Sequence, residues 1–394
     1  MSSRPLRLAC ASLVCVVLSV SAAPYTPASD AQILERLPIR PTDPVARRLR
    51  TLRADLAASP NDTSLAEELA RSYFDLAMAE GDPRYIGYAE ATLRPWSTGN
   101  TLPPNLRLIR ALLRQYKHDF AGALRDLAIA VDADPRNVEA HSWRAAIFMV
   151  QADYAKARTE CAALAPHSSE LFATGCFAYA EATTGNTRKA YDRLLGALRR
   201  HPDASRSSRL WNLTRLADMS RRLGDPNRAE KHFREALSLG VTDNFLLAAY
   251  ADFLLDEKRP AEVAALLKDW ARSDTLLLRL AFAEVLLKMP TSAQRIQALD
   301  DRFAEAALRG EQLHLQEEAR FRLYLKADPI GALRLAAENW KAQREPRDAA
   351  VLLEAALAAR DRVAAQPALD WLSRSGYEDP AMHRTANALR APAR

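Results

Sequence analysis

The sequence contains little glycine, histidine and cysteine, and each shortage argues against a class of functional site. Its 394 residues include 12 Gly, 7 His and 4 Cys. The glycines are scattered, so no glycine-rich phosphate loop is present. No two histidines lie three to five residues apart, which excludes a local zinc-binding pair. The sequence therefore predicts no metal site, no cofactor and no enzymatic activity.

Long alternating runs of Val, Ile and Thr are also missing, so strands are not indicated. Ala, Leu and Arg are abundant, and all three are strong helix formers. We therefore expect an all-α fold. The formal net charge is only +6, a small excess for a chain of this length, so the sequence predicts no nucleic-acid partner.

The long apolar run of the chain is confined to its N-terminus. Arg4 and Arg7 precede an apolar stretch from Leu8 to Val20, and small residues follow. This pattern resembles a secretory signal peptide, 1–22, with cleavage after Ala22. The run is too short to span a bilayer comfortably, although an uncleaved anchor remains an alternative. We expect export across the inner membrane, most simply to the periplasm, and no membrane span in the mature chain.

Cleavage would leave two cysteines, Cys161 and Cys176. An oxidising compartment favours a disulfide between such a pair. The two residues fall on neighbouring antiparallel helices of the repeats described next, with an offset of roughly 4–5 Å along the axis. The sequence predicts a Cys161–Cys176 disulfide, with two buried free thiols as the alternative.

Small residues recur in pairs separated by twelve positions. The pairs begin 34, 33, 39 and 34 residues apart, and a period near 34 is typical of helix–turn–helix repeats. Short side chains allow two antiparallel helices to cross closely. The 39-residue step contains about five extra residues between Pro202 and Leu210, which predict a longer loop between repeats. The pairs are Ala111 with Ala123, Ala145 with Ala157, Ala178 with Ala190, Ala217 with Ala229, and Ala251 with Val263.

Several residues within this array carry a family resemblance. Gly224 lies at a turn between two helices, Phe233 and Ala236 are the large and small residues of the next helix, and Pro135 and Pro202 end repeat units. In these features the chain resembles a tetratricopeptide repeat protein, although most units lack the expected first-helix Trp and Gly. The segment 82–96 also resembles a family of exported bacterial tetratricopeptide proteins. The resemblance implies a right-handed superhelix, an α-solenoid of antiparallel helix pairs.

The pattern predicts five regions along the chain. Short loops after Trp270 predict further antiparallel helices and a C-terminal capping helix. The regions are a signal peptide, 1–22; a Pro-rich tether, 23–44; N-terminal helices with a divergent repeat, 45–103; five tetratricopeptide-like repeats, 104–274; and divergent helical repeats with the cap, 275–394.

The resemblance also implies that the first helices of the repeats line a concave groove. Phe172, Trp211 and Phe245 occupy equivalent positions in three successive repeats, where rigid aromatic rings suit an extended peptide. Packing between repeats is the alternative for these rings. Asp218, Arg221 and Arg222 would fix the position of the partner segment in the groove by pairing with its charges. The projected groove residues are Tyr116, Phe172, Tyr179, Trp211, Asp218, Arg221, Arg222, Phe245, Asp252 and Asp256.

These observations predict a non-catalytic exported scaffold that binds a protein or peptide partner in its groove. A scaffolding subunit of a cell-envelope complex, which would act through other helix faces, is the alternative. Relatives that bind a C-terminal carboxylate use Lys, Asn and Arg on their first helices. The matching positions here include Leu108, Leu112, Ser142 and Ala146, so that ligand is not expected there.

Overall fold

The computed structural model describes residues 43–97, 102–310 and 314–391, together with positions 27, 29, 31 and 32. The chain divides into two units, Met1–Arg40 and Pro41–Arg394. The predicted signal peptide, 1–22, lies outside the described residues, as does most of the tether. No helix among the described residues is long and apolar enough to cross a membrane.

The second unit consists of twenty α-helices, with no strand among its described residues, which confirms the all-α prediction. The first ten are α1 (Pro44–Ala58), α2 (Thr63–Glu80), α3 (Arg84–Ser97), α4 (Pro104–Tyr116), α5 (Phe120–Ala133), α6 (Val138–Val150), α7 (Tyr154–Leu164), α8 (Glu170–Thr183), α9 (Thr187–Arg200) and α10 (Arg206–Arg222). The others are α11 (Pro226–Ser238), α12 (Asn244–Asp256), α13 (Pro260–Leu267), α14 (Asp274–Leu286), α15 (Ser292–Leu308), α16 (Leu315–Tyr324), α17 (Pro329–Ala342), α18 (Pro346–Ala358), α19 (Arg362–Ser375) and α20 (Pro380–Arg390).

The turns inside the repeats share one backbone design. His118, Ala152 and Gly224 precede second helices and adopt positive φ angles of 61°, 59° and 76°. An aspartate follows each of them, and its carboxylate accepts a backbone N–H from the first turn of the next helix. This capping satisfies a backbone donor that would otherwise lack a partner. Non-glycine residues therefore adopt the left-handed conformation at turns where the family pattern has glycine.

Small residues lie where the helices of each pair cross. We call the even-numbered helices from α2 onward the A helices, and the odd-numbered helices from α3 onward the B helices. Of the ten paired small residues, nine are fully buried and Ala145 is 4% exposed. Each A helix also contacts the next A helix along the chain. The pairs therefore stack into a continuous solenoid with a shared core.

The array coils back, so that its last repeats contact its early ones. The backbone N–H of Arg344 donates to the carbonyl oxygen of Val150 at 2.7 Å, and the indole N–H of Trp371 donates to the Tyr154 hydroxyl at 2.7 Å. Ala152 packs against the apolar core formed by α16–α20. The α6–α7 turn therefore lies against α19 and the segment that joins α17 to α18. The start of α9 lies against the segment that joins α19 to α20, where the Thr187 N–H donates to Glu378 at 2.8 Å.

Cys161 on α7 and Cys176 on α8 are paired as a disulfide, with their Cα atoms 5.7 Å apart. The bridge joins the B helix of one repeat to the A helix of the next. It closes a loop of about 15 residues, which in the chain-entropy model stabilises the fold by roughly 3 kcal/mol.

Replacing Ala217 with Leu is expected to lower the free energy of unfolding by about 1–3 kcal/mol, because the α10–α11 crossing has no room for the added atoms. Urea unfolding followed by circular dichroism measures the change. Ala304→Leu is the matched control, since Ala304 is exposed in the middle of α15. An equal loss of unfolding free energy in both variants would show that the close helix crossing is not the cause of the destabilisation.

Alkylation of the exported, signal-free chain in denaturant is expected to label neither Cys161 nor Cys176 until a reductant is added, because both sulfurs are in the bridge. Mass spectrometry after reduction should then show two labels. Full labelling without reductant would exclude the disulfide. The Cys161→Ala/Cys176→Ala variant should unfold at lower urea than the oxidised chain.

Candidate functional site

Three aromatic side chains form a row across consecutive A helices. Phe172 lies on α8, Trp211 on α10 and Phe245 on α12, and the Phe172 and Trp211 rings stack with centroids 6.3 Å apart. The guanidinium of Arg215 lies 5.3 Å from the Trp211 ring centroid and 5.5 Å from that of Phe245. It also lies 3.6 Å from the Tyr179 centroid. We call these five residues the aromatic row.

Arg215 was missed by the sequence reasoning, although its spacing carries a signal. It lies one helical turn after Trp211 on α10 and therefore on the same face. Its guanidinium contacts three aromatic faces, an arrangement that cation–π attraction stabilises. Its buried Nε has no hydrogen-bond partner among the described residues. The row is thus a connected cluster of rings around one cation.

The row depends on a close approach between α8 and α10. A Cβ atom at Gly175 would clash with the Trp211 ring and with the Asn212 side chain. Glycine at this position lets the Trp211 ring lie against the α8 backbone. Phe245, at the start of α12, is 48% exposed, so this end of the row is open to solvent.

Tyr179 connects the row to the C-terminal repeats. Its hydroxyl donates to Glu345 Oε1 at 3.2 Å, just before α18. Burial and the nearby Glu345 carboxylate raise the pKa of Tyr179 well above its usual value. Tyr179 therefore stays protonated and holds the last repeats against α8.

The charged residues at the C-terminal end of α10 bind the chain's own C-terminal segment. Arg221 donates to Asp379 at 2.9 Å. Arg222 donates to the carbonyl oxygen of Ala182 at 2.9 Å, and its guanidinium lies 4.4 Å from the Tyr377 ring centroid. Asp218 pairs with both arginines, at 3.2 and 3.1 Å. Although burial opposes it, these two cations lower the pKa of Asp218.

Asp252 on α12 gathers three arginines from later A helices. Its carboxylate accepts from Arg279 at 2.7 Å and from Arg320 at 2.9 Å, and Arg347 lies 3.6 Å away. These cations lower the pKa of Asp252 far below its usual value despite burial. Burial lowers the pKa of the fully buried Arg279 to about 10. The cluster joins α12 to α14, α16 and α18 through one carboxylate.

The structure thus places eight of the ten projected groove residues in two groups. The aromatic side chains meet in the row. Asp218, Arg221, Arg222 and Asp252 contact other parts of the same chain, because the array coils back and brings its last repeats against the earlier A helices. Asp256 is exposed one turn beyond Asp252, and Tyr116 is partly buried at the end of α4, outside the row. Asp218, Arg221 and Arg222, which were predicted to position a bound partner protein, form ion pairs within this chain instead.

Metal-ligating side chains are dispersed in the part of the chain that the structure describes. Among those residues, no three His, Cys, Asp or Glu side chains are grouped so that they could hold a metal ion. The aromatic row itself presents aromatic faces, one cation, Arg215, and one adjacent acidic group, Glu345.

Stacked antiparallel helix pairs with small residues at their crossings define an α-helical repeat protein. Residues 114–305 match the family model of the tetratricopeptide repeat, and this part of the chain is made of tetratricopeptide repeats. No curated protein sequence matches the chain.

Solved structures show distant similarity. A tetratricopeptide repeat protein from Parabacteroides merdae is 14% identical, with 65% of this chain and 91% of that chain covered and a TM-score of 0.43. The human IFIT1 dimer with m7Gppp-AAAA is 16% identical, with 88% and 87% covered and a TM-score of 0.43. Yeast Tom70 is 13% identical, with 88% and 84% covered and a TM-score of 0.41.

Replacing Asp252 with Asn is expected to destabilise the fold by about 3 kcal/mol, because three guanidinium groups lose their shared counter-charge. Urea unfolding at neutral pH measures this loss. Glu257→Gln is the control at the end of the same helix, since Glu257 is exposed and forms no ion pair within the described residues. Equal stability of the two variants would show that the cluster does not hold the last repeats in place.

Proposed function

We propose that this protein is a non-catalytic scaffold that binds an extended segment of a partner protein along the aromatic row. The observation that carries the proposal is the repetition of Phe172, Trp211 and Phe245 at equivalent positions of three successive repeats. Such spacing presents rings at regular intervals to an elongated chain. Rigid aromatic side chains supply contact area at little entropic cost.

The position of the row relative to the other contacts supports this choice. The charged part of the concave surface binds the chain's own last repeats, through Arg221 to Asp379 and through Asp252 to Arg320. The rings have fewer such partners, and Phe245 is 48% exposed. A partner segment would lie over the rings, with a carboxylate of its own near Arg215.

Export is part of the proposal. The signal-like residues 1–22 and the Cys161–Cys176 pair both support an oxidising compartment such as the periplasm. In that setting the scaffold would bind another exported protein. The expectation that nucleic acid is not a partner rests on export and on the small net charge.

Exposed apolar side chains elsewhere favour a second candidate function. Leu286, Leu308, Ile330 and Val363 are all exposed, on or at the ends of α14, α15, α17 and α19. A subunit of an envelope assembly would use such faces, since exposed apolar groups mark contact surfaces when they are contiguous. This alternative predicts that binding depends on these residues and not on the row.

Replacing Phe245 with Ala is expected to weaken binding about tenfold, because an exposed anchor of the row is lost. Peptides selected from a random displayed library on the mature chain serve as ligands, and fluorescence anisotropy measures their affinity. Trp211→Ala should also lose affinity, by more than its loss of stability explains.

Val363→Ala is the matched control, because it removes an exposed apolar side chain from α19. Weaker binding in Val363→Ala with unchanged binding in Phe245→Ala would favour the assembly alternative. Peptides that bind both variants as tightly as the parent chain would exclude the row as the site.

A further inference from the structure

A separate cleft lies between the B helices α9 and α11, beside the N-terminal half of α10. Its volume is about 680 Å³, which falls within the usual range for small-molecule sites. None of the five residues of the aromatic row lines it. The cleft is therefore a second candidate site, independent of the proposed partner surface.

The cleft coincides with the irregular step of the repeat. Pro202, from the segment that lengthens this step, forms part of the wall. The helix after that segment, α10, has 17 residues, whereas α4 has 13 and α8 has 14. The extra residues therefore lengthen α10 and not the loop before it, since residues 201–205 are no more numerous than residues 239–243 before α12. The predicted longer loop is wrong, and the added helical turn lies beside the cleft.

A buried histidine forms part of the cleft wall. His232 is 5% exposed, and its Nε2 lies 2.9 Å from the Tyr191 hydroxyl oxygen. Its buried Nδ1 has no hydrogen-bond partner in the part of the chain that the structure describes. An unpartnered buried polar atom is costly and calls for a ligand or another explanation. When the Tyr191 hydroxyl donates to Nε2, Nδ1 carries the ring proton and is free to donate.

Basic side chains outnumber carboxylates around this ring. Arg209 pairs with Glu235 at 2.9 Å, and Arg228 pairs with Asp225 at 3.1 Å. Both carboxylates of the lining are thus already neutralised.

The two remaining basic side chains of the lining carry the uncompensated charge. Arg199 and Lys231 are exposed at the cleft and form no ion pair among the described residues. Burial, together with the charges of Lys231, Arg228 and Arg199, lowers the pKa of His232 to about 4, against a smaller opposing effect of Asp225. The ring therefore stays neutral at ordinary pH in a positive local potential.

We propose that this cleft binds a small organic anion that carries phosphate or carboxylate groups. Arg199 and Lys231 contact its charged oxygens, and the ligand lies against the His232 side chain, which forms part of the wall. The apolar surfaces of Leu195, Leu198 and Pro202 contact the rest of the molecule. Charge-assisted hydrogen bonds of this kind are stronger than neutral ones.

The test uses the full mature chain with two probes, inorganic pyrophosphate and citrate, in separate calorimetric titrations. We expect saturable one-to-one binding of at least one probe, weakened by added salt. Tighter binding of pyrophosphate would assign phosphate chemistry to the ligand, and tighter binding of citrate would assign carboxylate chemistry. In parallel, the His232 ring resonance, assigned with the His232→Gln variant, should shift with the same midpoint.

Lys231→Ala and Arg199→Ala are each expected to weaken binding about tenfold. The matched control is Lys268→Ala, which removes the same charge from an exposed lysine just after α13, outside the cleft. Circular dichroism confirms that each variant is folded. Peptide binding at the aromatic row should be unchanged in Lys231→Ala, which separates this proposal from the proposed function.

Two results would overturn the anion site. One is the absence of saturable binding of both probes up to about 1 mM. The other is an equal loss of affinity in Lys268→Ala and Lys231→Ala, which would indicate attraction to the overall charge of the chain.

Discussion

The close crossing of A and B helices at small residues is the constraint on which the structure depends. At Ala178 and Ala190, or at Ala217 and Ala229, the side chains end at Cβ and are fully buried. The two helix backbones can therefore approach closely, while larger neighbours fill the flanks. Each crossing sets how one repeat sits on the next, so small rotations accumulate along the array.

That accumulation explains why the last repeats return to the concave surface. Asp252 then meets arginines from three later A helices, and Arg221 meets Asp379. In a more open solenoid these charged side chains would be available to a ligand. In this protein they pair with one another and hold the last repeats against the earlier ones. Two surfaces remain open to ligands: the Phe245 end of the aromatic row, whose Tyr179 takes part in the closure, and the cleft between α9 and α11.

The row and the cleft differ in the chemistry that they offer. The row presents aromatic faces around one guanidinium and suits an extended chain. The cleft presents unpaired cations around a neutral buried histidine and suits a compact anion. They lie on different helices of the same repeats, since Trp211 is on α10 whereas Tyr191 and His232 are on α9 and α11. The two proposed sites therefore share no residue.

The sequence by itself determined the helical class, the register of the repeats, the crossing residues and the equivalence of Phe172, Trp211 and Phe245. These features follow from periodicity and capping, which depend on residues that are close together in the sequence, within one or two helices. Only the tertiary structure decided that Arg320 would reach Asp252, 68 residues away, or that His232 would line a cleft with Arg199. Such long-range contacts depend on the rotation of each repeat relative to the one before it, added over many repeats. No single segment of the sequence determines that sum.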